Sequence, residues 1–184
     1  GKTIAIQGFG KVAYHYAKLL QDEGAHIITT DINKIRTTEA IKMGAKIVAP
    51  DDIYDVECDI FSPCALGGTL NSDTIPRIKA SIVAGAANNQ LQENHHCEEL
   101  QNAGILYAPD YAINPGGVIT VACEIEGKSR NDAITQTAKV YDTLLGIFAK
   151  AKKEGTTTAI SADRIAQDRI DNANKSKNTT NNKE

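Results

Sequence analysis

A chain of 184 residues, of which 41% are hydrophobic, is long enough to bury a core and suits one domain of ordinary size. No apolar run approaches the ~20 residues that a membrane helix needs, and the first apolar stretch is too short for a signal peptide. We therefore expect a cytoplasmic protein without a membrane partner. The formal net charge of −3 and the sequence pI near 5.8 argue against a nucleic acid as the main partner.

Short apolar runs alternate with segments of helical periodicity up to residue 108. Strands are predicted at residues 3–6, 26–30, 46–49, 58–62, 81–85 and 104–108, and helices at 11–21, 33–43 and 93–103. The strands are continuous apolar runs, which is typical of a parallel sheet that is covered on both faces. Strands joined by helices at this spacing predict an α/β, Rossmann-type doubly wound, mostly parallel sheet.

The pattern becomes helical after Gly116-Gly117. Helices are predicted at 118–126 and 131–153, and a short one at 161–165 with Ser161 as its N-cap. The segment 171–184 is almost wholly polar, so a disordered tail is expected there, after one domain over 1–170. No initiator Met precedes the first strand, which indicates either a domain cut from a longer protein or a processed start.

The cysteines and histidines form no recognisable metal or catalytic pattern. The cysteines are Cys58, Cys64, Cys97 and Cys123. They form no C-x-x-C pair and are predicted to be free thiols. The histidines are His15, His26, His95 and His96. His95 and His96 begin a helix without a carboxylate pattern, so all four are interpreted as solvated or core-edge residues, and no metal site is predicted.

The segment Gly8-Phe9-Gly10-Lys11-Val12-Ala13 fits the pattern G-x-G-x-x-A between a strand and a helix. Gly8 permits a tight turn, Gly10 lets the backbone approach a pyrophosphate, and Ala13 lets the helix pack close to the sheet. The N–H groups that begin the helix face the phosphates. No hydroxyl follows Lys11, which argues against a nucleoside-triphosphate loop.

Asp31 ends the second strand, 21 residues after Gly10. A carboxylate there accepts hydrogen bonds from the adenosine ribose and repels the additional phosphate of NADP. It would equally serve as an N-cap for the helix that begins near Asn33, and the two roles are compatible. We expect NAD as the cofactor, several-fold tighter than NADP, with Lys34 and Arg36 facing solvent.

Five stretches resemble, in order, the NAD-binding domain of the glutamate, leucine, phenylalanine and valine dehydrogenase family. They are residues 1–8, 57–67, 84–91, 107–119 and 162–166. The family deaminates an L-amino acid with NAD and water to a 2-oxo acid, ammonia and NADH. The resemblance implies a small-molecule amino-acid substrate, here leucine or another branched-chain amino acid, and a homo-oligomer in the full-length protein.

The site residues combine the loop pattern with this resemblance. The expected cofactor-binding residues are Gly8, Phe9, Gly10, Lys11, Val12, Asp31, Ile32, Cys64, Ala65, Leu66, Ala87, Asn88 and Asn114. Cys64 to Leu66 and Ala87-Asn88 follow strands at the edge where such sheets bind ligands, although ordinary turns there are the alternative. The expected substrate-binding residues are Asn114, Leu144 and Ile147. Core packing is the alternative for the latter two.

In the family that these stretches resemble, two catalytic lysines and an aspartate lie on a preceding N-terminal domain, which we expect to be absent from this chain. We therefore assign no catalytic residue to this chain and expect it to be inactive alone. Pro115 stands where the family commonly has Ala, and Thr120 where it has Asn. A stand-alone, non-catalytic NAD-binding module is the competing interpretation. An unrelated α/β enzyme that shares only the fold is a third.

Overall fold

Six parallel strands form one sheet in the order β3-β2-β1-β4-β5-β6. The computed structural model describes the backbone of residues 1–181 and the side chains of residues 1–174. The strands are β1 (Thr3–Gln7), β2 (His26–Thr30), β3 (Lys46–Ile47), β4 (Ile60–Pro63), β5 (Ile82–Val83) and β6 (Leu106–Tyr107). The helices are α1 (Lys11–Asp22), α2 (Lys34–Lys42), α3 (His96–Asn102), α4 (Asp110–Ile113), α5 (Gly116–Ile125), α6 (Arg130–Glu154) and α7 (Thr158–Asn181). Short 3-10 helices span Asp52–Asp55 and Ile75–Arg77.

The central strand β1 shows why helices cover both faces of the sheet. Ile4 and Ile6 pack on the face that α1 covers through Ala13 and Ala17, while Ala5 points into the opposite core. A strand buried on both faces must be apolar at successive positions, which is the pattern in the sequence. The predicted doubly wound α/β fold is therefore confirmed.

The strand order places a ligand crevice at one edge of the sheet. The chain first moves outward from β1 to β3 and then returns to β4 on the other side of β1. At this switch the loops that leave the carboxyl ends of β1 and β4 diverge, and open α/β sheets bind their ligands in the crevice so formed.

The C-terminal region differs from the sequence-based expectation. Ser161 is fully buried inside α7 rather than at its N-terminus, and Thr157 does the capping because its hydroxyl accepts a hydrogen bond from the N–H of Ile160. The helix continues to Asn181 through most of the segment predicted to be disordered. Since neither Gly nor Pro occurs after Gly155, no residue there forces the helix to end.

The remaining predicted tail, residues 182–184, lies outside the described residues.

Among the helices that are described, none combines the length and the apolar character needed to cross a membrane.

Candidate functional site

The turn from β1 into α1 requires glycine at position 8. Gly8 has a φ of +90°, and a Cβ added there would lie 2.7 Å from the Cβ of Ala65. Its N–H donates to the carbonyl of Thr30 over 2.9 Å, which ties the end of β1 to the end of β2. A side chain at this position would collide with the loop after β4 and strain the backbone.

Gly10, in contrast, is not required by the fold of this chain. Its φ of −75° and ψ of −174° suit any residue, and an added Cβ would meet only the Arg36 Nη1 atom, at 3.9 Å. The backbone N–H groups of Lys11 and Val12 find no acceptor among the described residues. The start of α1 thus offers free N–H donors, the positive end of the helix dipole and open space, which together suit a phosphate group.

Backbone N–H groups of the glycine loop and of the start of α2 hold the Asp31 carboxylate in place. Its Oδ2 accepts from the N–H of Phe9 and its Oδ1 from the N–H of Asn33, both over 2.8 Å, and its side chain is only 5% exposed. Burial alone would raise the pKa of Asp31, but the two N–H groups and Arg36 together hold it below the ordinary value. Asn33 is the N-cap of α2, so Asp31 is free for another role.

Arg36 does not face away from the site. Its Nη1 lies 3.4 Å from Asp31 Oδ2, although the side chain is half exposed. Arg36 lines one end of a crevice of about 770 Å³ between α1 and α2, together with Gly10, Lys11 and Asn33. The rest of this crevice leads away from the sheet edge, so only its mouth belongs to the candidate site. Arg36 is exposed, as expected, and from this exposed position its guanidinium reaches Asp31 at the mouth of the candidate site.

The loops after β4 and β5 contact each other at the carboxyl edge of the sheet, on the side of β1 away from Asp31. The N–H of Cys64 donates to the carbonyl of Gln7, and the N–H of Ala87 donates to that of Pro63. Leu66 is exposed over 81% of its surface. Burial raises the pKa of the Cys64 thiol to about 11, so at neutral pH it is a protonated thiol and a poor nucleophile.

Two asparagines join at the far end of this edge. The side-chain amide of Asn114 donates to Asn88 Oδ1 over 2.8 Å and to the Ala86 carbonyl over 2.7 Å. The spacing of Asn88 and Asn114 in the sequence, 26 residues, gives no sign of this contact. Pro115 is the N-cap of α5, and the Thr120 hydroxyl donates to the Gly116 carbonyl.

An apolar face of α5 borders these asparagines. Val118, Val121 and Ile125 are exposed over 74%, 55% and 82% of their surfaces. With Asn88 and Asn114 they line an open cavity of about 560 Å³. The spacing of three and four residues in the sequence predicts this face, because residues at that spacing share one side of a helix.

The predicted residues fall into two groups. The cofactor candidates all lie at or next to the carboxyl edge of the sheet, with Ile32 and Val12 largely exposed beside it. The substrate candidates on α6 do not join them. Ile147 is only 2% exposed, which supports core packing over a ligand contact, and Leu144 is half-buried. The roles of all these residues stay predictions.

Comparison with known proteins agrees with this architecture. The family model described as glutamate/leucine/phenylalanine/valine dehydrogenase matches residues 30–178. A leucine dehydrogenase of Bacillus cereus is 49% identical over 180 residues, which cover 97% of this chain and 49% of that protein. A valine dehydrogenase of Streptomyces albus is 45% identical over 173 residues, covering 92% and 48% respectively.

A solved structure shares both fold and sequence with the chain. The crystal structure of L-tryptophan dehydrogenase from Nostoc punctiforme superposes with a TM-score of 0.91 at 46% identity, over 94% of this chain and 53% of that one. The chain thus spans about half the length of the relatives it matches.

Proposed function

The chain belongs to the glutamate/leucine/phenylalanine/valine dehydrogenase family, and on that premise we propose that it is the NAD-binding half of an amino-acid dehydrogenase. One observation carries the proposal. The carboxylate of Asp31, fixed by the N–H groups of Phe9 and Asn33, lies beside a helix N-terminus whose first N–H groups have no acceptor among the described residues. This is the arrangement that grips a ribose and the neighbouring diphosphate of a dinucleotide.

The residues present fit each part of the cofactor. The N–H groups of Lys11 and Val12 would bind the diphosphate, and the open space above Gly10 would admit it. Asp31 would accept a hydrogen bond from the adenosine ribose through the lone pair of Oδ1 that its present donors leave free. At the other end, Asn88 and Asn114 would hold the nicotinamide, and the backbone after Cys64 would border its ribose.

NAD is preferred over NADP in this proposal because Asp31 is ionised. Its lowered pKa keeps the carboxylate charged at neutral pH, so it would repel a 2′-phosphate. Arg36 opposes this preference, since a guanidinium attracts phosphate, but it is already paired with Asp31. We therefore expect a several-fold preference rather than complete exclusion of NADP.

The exposed face of α5 supports an apolar amino acid as the substrate. Val118 and Val121 present branched side chains next to Asn114, where the nicotinamide would end. We propose leucine or another branched-chain L-amino acid, which bound NAD would oxidise by accepting hydride from Cα. In the whole protein, which we expect to be a homo-oligomer, Asn114 would orient the amino acid and the α5 face would help to exclude water.

Isothermal titration calorimetry of the chain with NAD and NADP tests the cofactor assignment. We expect NAD to bind several-fold tighter than NADP, and Asp31→Asn to remove most of that difference. Asp52→Asn makes the same chemical change at an exposed site and serves as the control. Equal affinities for the two cofactors in the unaltered chain would refute the role of Asp31, and failure to bind either would refute the function.

Substrate choice is tested with the whole protein. Formation of NADH should be faster with L-leucine than with L-glutamate, because an apolar wall favours an aliphatic side chain over a carboxylate. Faster oxidation of L-glutamate would refute the substrate proposal while leaving the cofactor site intact.

A further inference from the structure

A cluster of imidazole and carboxylate groups lies at the start of α3, apart from the residues assigned to the cofactor. His95, His96 and Glu99 each bring one metal-ligating atom within 4.8 Å of the other two. Ser72, from the loop after β4, joins them: its Oγ lies 3.3 Å from His96 Nε2 and donates to Glu99 Oε1 over 2.9 Å. His95 Nε2 is 3.5 Å from the same Glu99 oxygen.

We propose that this cluster is a zinc-binding site, in which His95 Nε2, His96 Nε2 and Glu99 Oε1 bind one Zn²⁺. The fourth position belongs to the Ser72 hydroxyl or to a water in its place. Ligand atoms around a tetrahedral zinc ion lie about 3.3 Å apart, since Zn–N and Zn–O bonds are ~2.0–2.2 Å long. The His95–Glu99, Ser72–Glu99 and Ser72–His96 contacts of 3.5, 2.9 and 3.3 Å bracket that spacing. The ligand atoms of His95, His96 and Glu99 all lie within 4.8 Å of one another.

Coordination through the Nε2 atom of His96 requires a different hydrogen bond at its Nδ1 atom. The residue is 4% exposed, and its Nδ1 lies 3.1 Å from the carbonyl oxygen of Glu93. With zinc on Nε2, Nδ1 carries the proton and donates it to that carbonyl, which fixes the ring as backbone carbonyls commonly do for ligating histidines. Without zinc, Nδ1 accepts from the N–H of Glu93 over 2.9 Å, so zinc binding exchanges that hydrogen bond for the one to the carbonyl.

The remaining ligands can adapt to the ion without disturbing the core. The side chain of His95 is 60% exposed and that of Glu99 is 34% exposed, so both can rotate to close the tetrahedron. Two imidazoles with one carboxylate favour zinc over magnesium or calcium, which prefer oxygen ligands alone. His95 and Glu99 are four residues apart, which brings the two side chains together on one side of the helix.

Calorimetric titration of the metal-free 184-residue chain with zinc chloride tests the proposal. We expect one equivalent to bind, and His95→Ala and Glu99→Gln each to weaken binding at least tenfold. His26→Ala, at an exposed position at the start of β2, is the matched control and should bind as the unaltered chain does. Since both altered side chains are partly exposed, the variants should keep their circular dichroism spectra.

Cobalt distinguishes this site from a thiolate site. Cys97 follows His96 in the chain and is buried. Co²⁺ in the proposed site should show the visible bands of a tetrahedral ion without the near-ultraviolet band of a cobalt–thiolate bond. No saturable zinc binding, unchanged binding in both variants, or a thiolate band would overturn the proposal. None of these readouts depends on NAD, so they are independent of the cofactor assignment.

Discussion

The two glycines of the β1–α1 turn should respond in opposite ways to substitution by alanine. At position 8, a φ of +90° costs a non-glycine residue about 1–2 kcal/mol. A Cβ there also lies 2.7 Å from the Cβ of Ala65, an overlap that costs about 1–3 kcal/mol. The lower chain entropy of alanine in the unfolded state returns about 0.4–1 kcal/mol. Gly8→Ala should therefore lower the free energy of unfolding by about 1–5 kcal/mol.

Gly10→Ala should spare stability and impair binding. Its backbone angles suit alanine, and the nearest atom to the new Cβ is the mobile end of Arg36, so the free energy of unfolding should change by less than about 1 kcal/mol. The Cβ would, however, fill the space that a phosphate needs. We expect NAD affinity to fall at least tenfold, or about 1.4 kcal/mol.

Urea unfolding followed by circular dichroism, together with calorimetric titration of NAD, measures both effects. The reasoning on Gly8 fails if its variant is as stable as the unaltered chain. The reasoning on Gly10 fails if its variant binds NAD unchanged, or if it unfolds as readily as the Gly8 variant.

Three further results are expected. Arg36→Gln should weaken NADP binding about tenfold and leave NAD binding unchanged, because it removes the cation nearest a 2′-phosphate; equal losses for both cofactors in a titration would contradict this. The stabilisation that Asp31 gains from its lowered pKa should be complete above its ordinary value of 3.8 and disappear as pH falls through the lowered value. In urea unfolding, the free energy of unfolding of the unaltered chain should thus exceed that of Asp31→Asn by the same amount at pH 5 and pH 7. In acid the two free energies should become equal. Burial raises the pKa of the Cys58 and Cys64 thiols to about 11. Both should therefore react with iodoacetamide at pH 8 far more slowly than the thiol of a small molecule in solution. Fast alkylation of the folded chain would count against their burial.

Local patterns were sufficient to predict most of the fold. The sequence alone predicts a strand from the apolar run at 3–6 and a helix from the long periodic segment at 131–153. It also predicts the ends of two helices from the glycines at 24 and 44. Gly24 and Gly44 both have positive φ, as expected of glycines that follow helices. The prediction failed where burial by distant residues decides the outcome, as at Ser161, which is polar enough to resemble a cap but lies inside α7.

The sequence likewise predicts one part of the candidate site and not the other. Gly8, Gly10 and Asp31 belong to a short stretch whose spacing follows from one strand–helix–strand unit, so the sequence places them together. The contact of Arg36 with Asp31 and the contact of Asn114 with Asn88 depend on side-chain geometry across separate elements. No periodicity in one chain encodes such contacts.

Nuclear magnetic resonance of the ¹⁵N-labelled chain, titrated with NAD, shows whether the start of α1 binds the diphosphate. We expect the backbone N–H signals of Phe9, Lys11 and Val12 to shift with saturation, because these groups surround the diphosphate and the anchored carboxylate. Signals from the middle of α6, which lies outside the candidate cofactor site, should stay in place. A saturable titration that left the three loop signals unmoved would show that NAD does not bind at this turn.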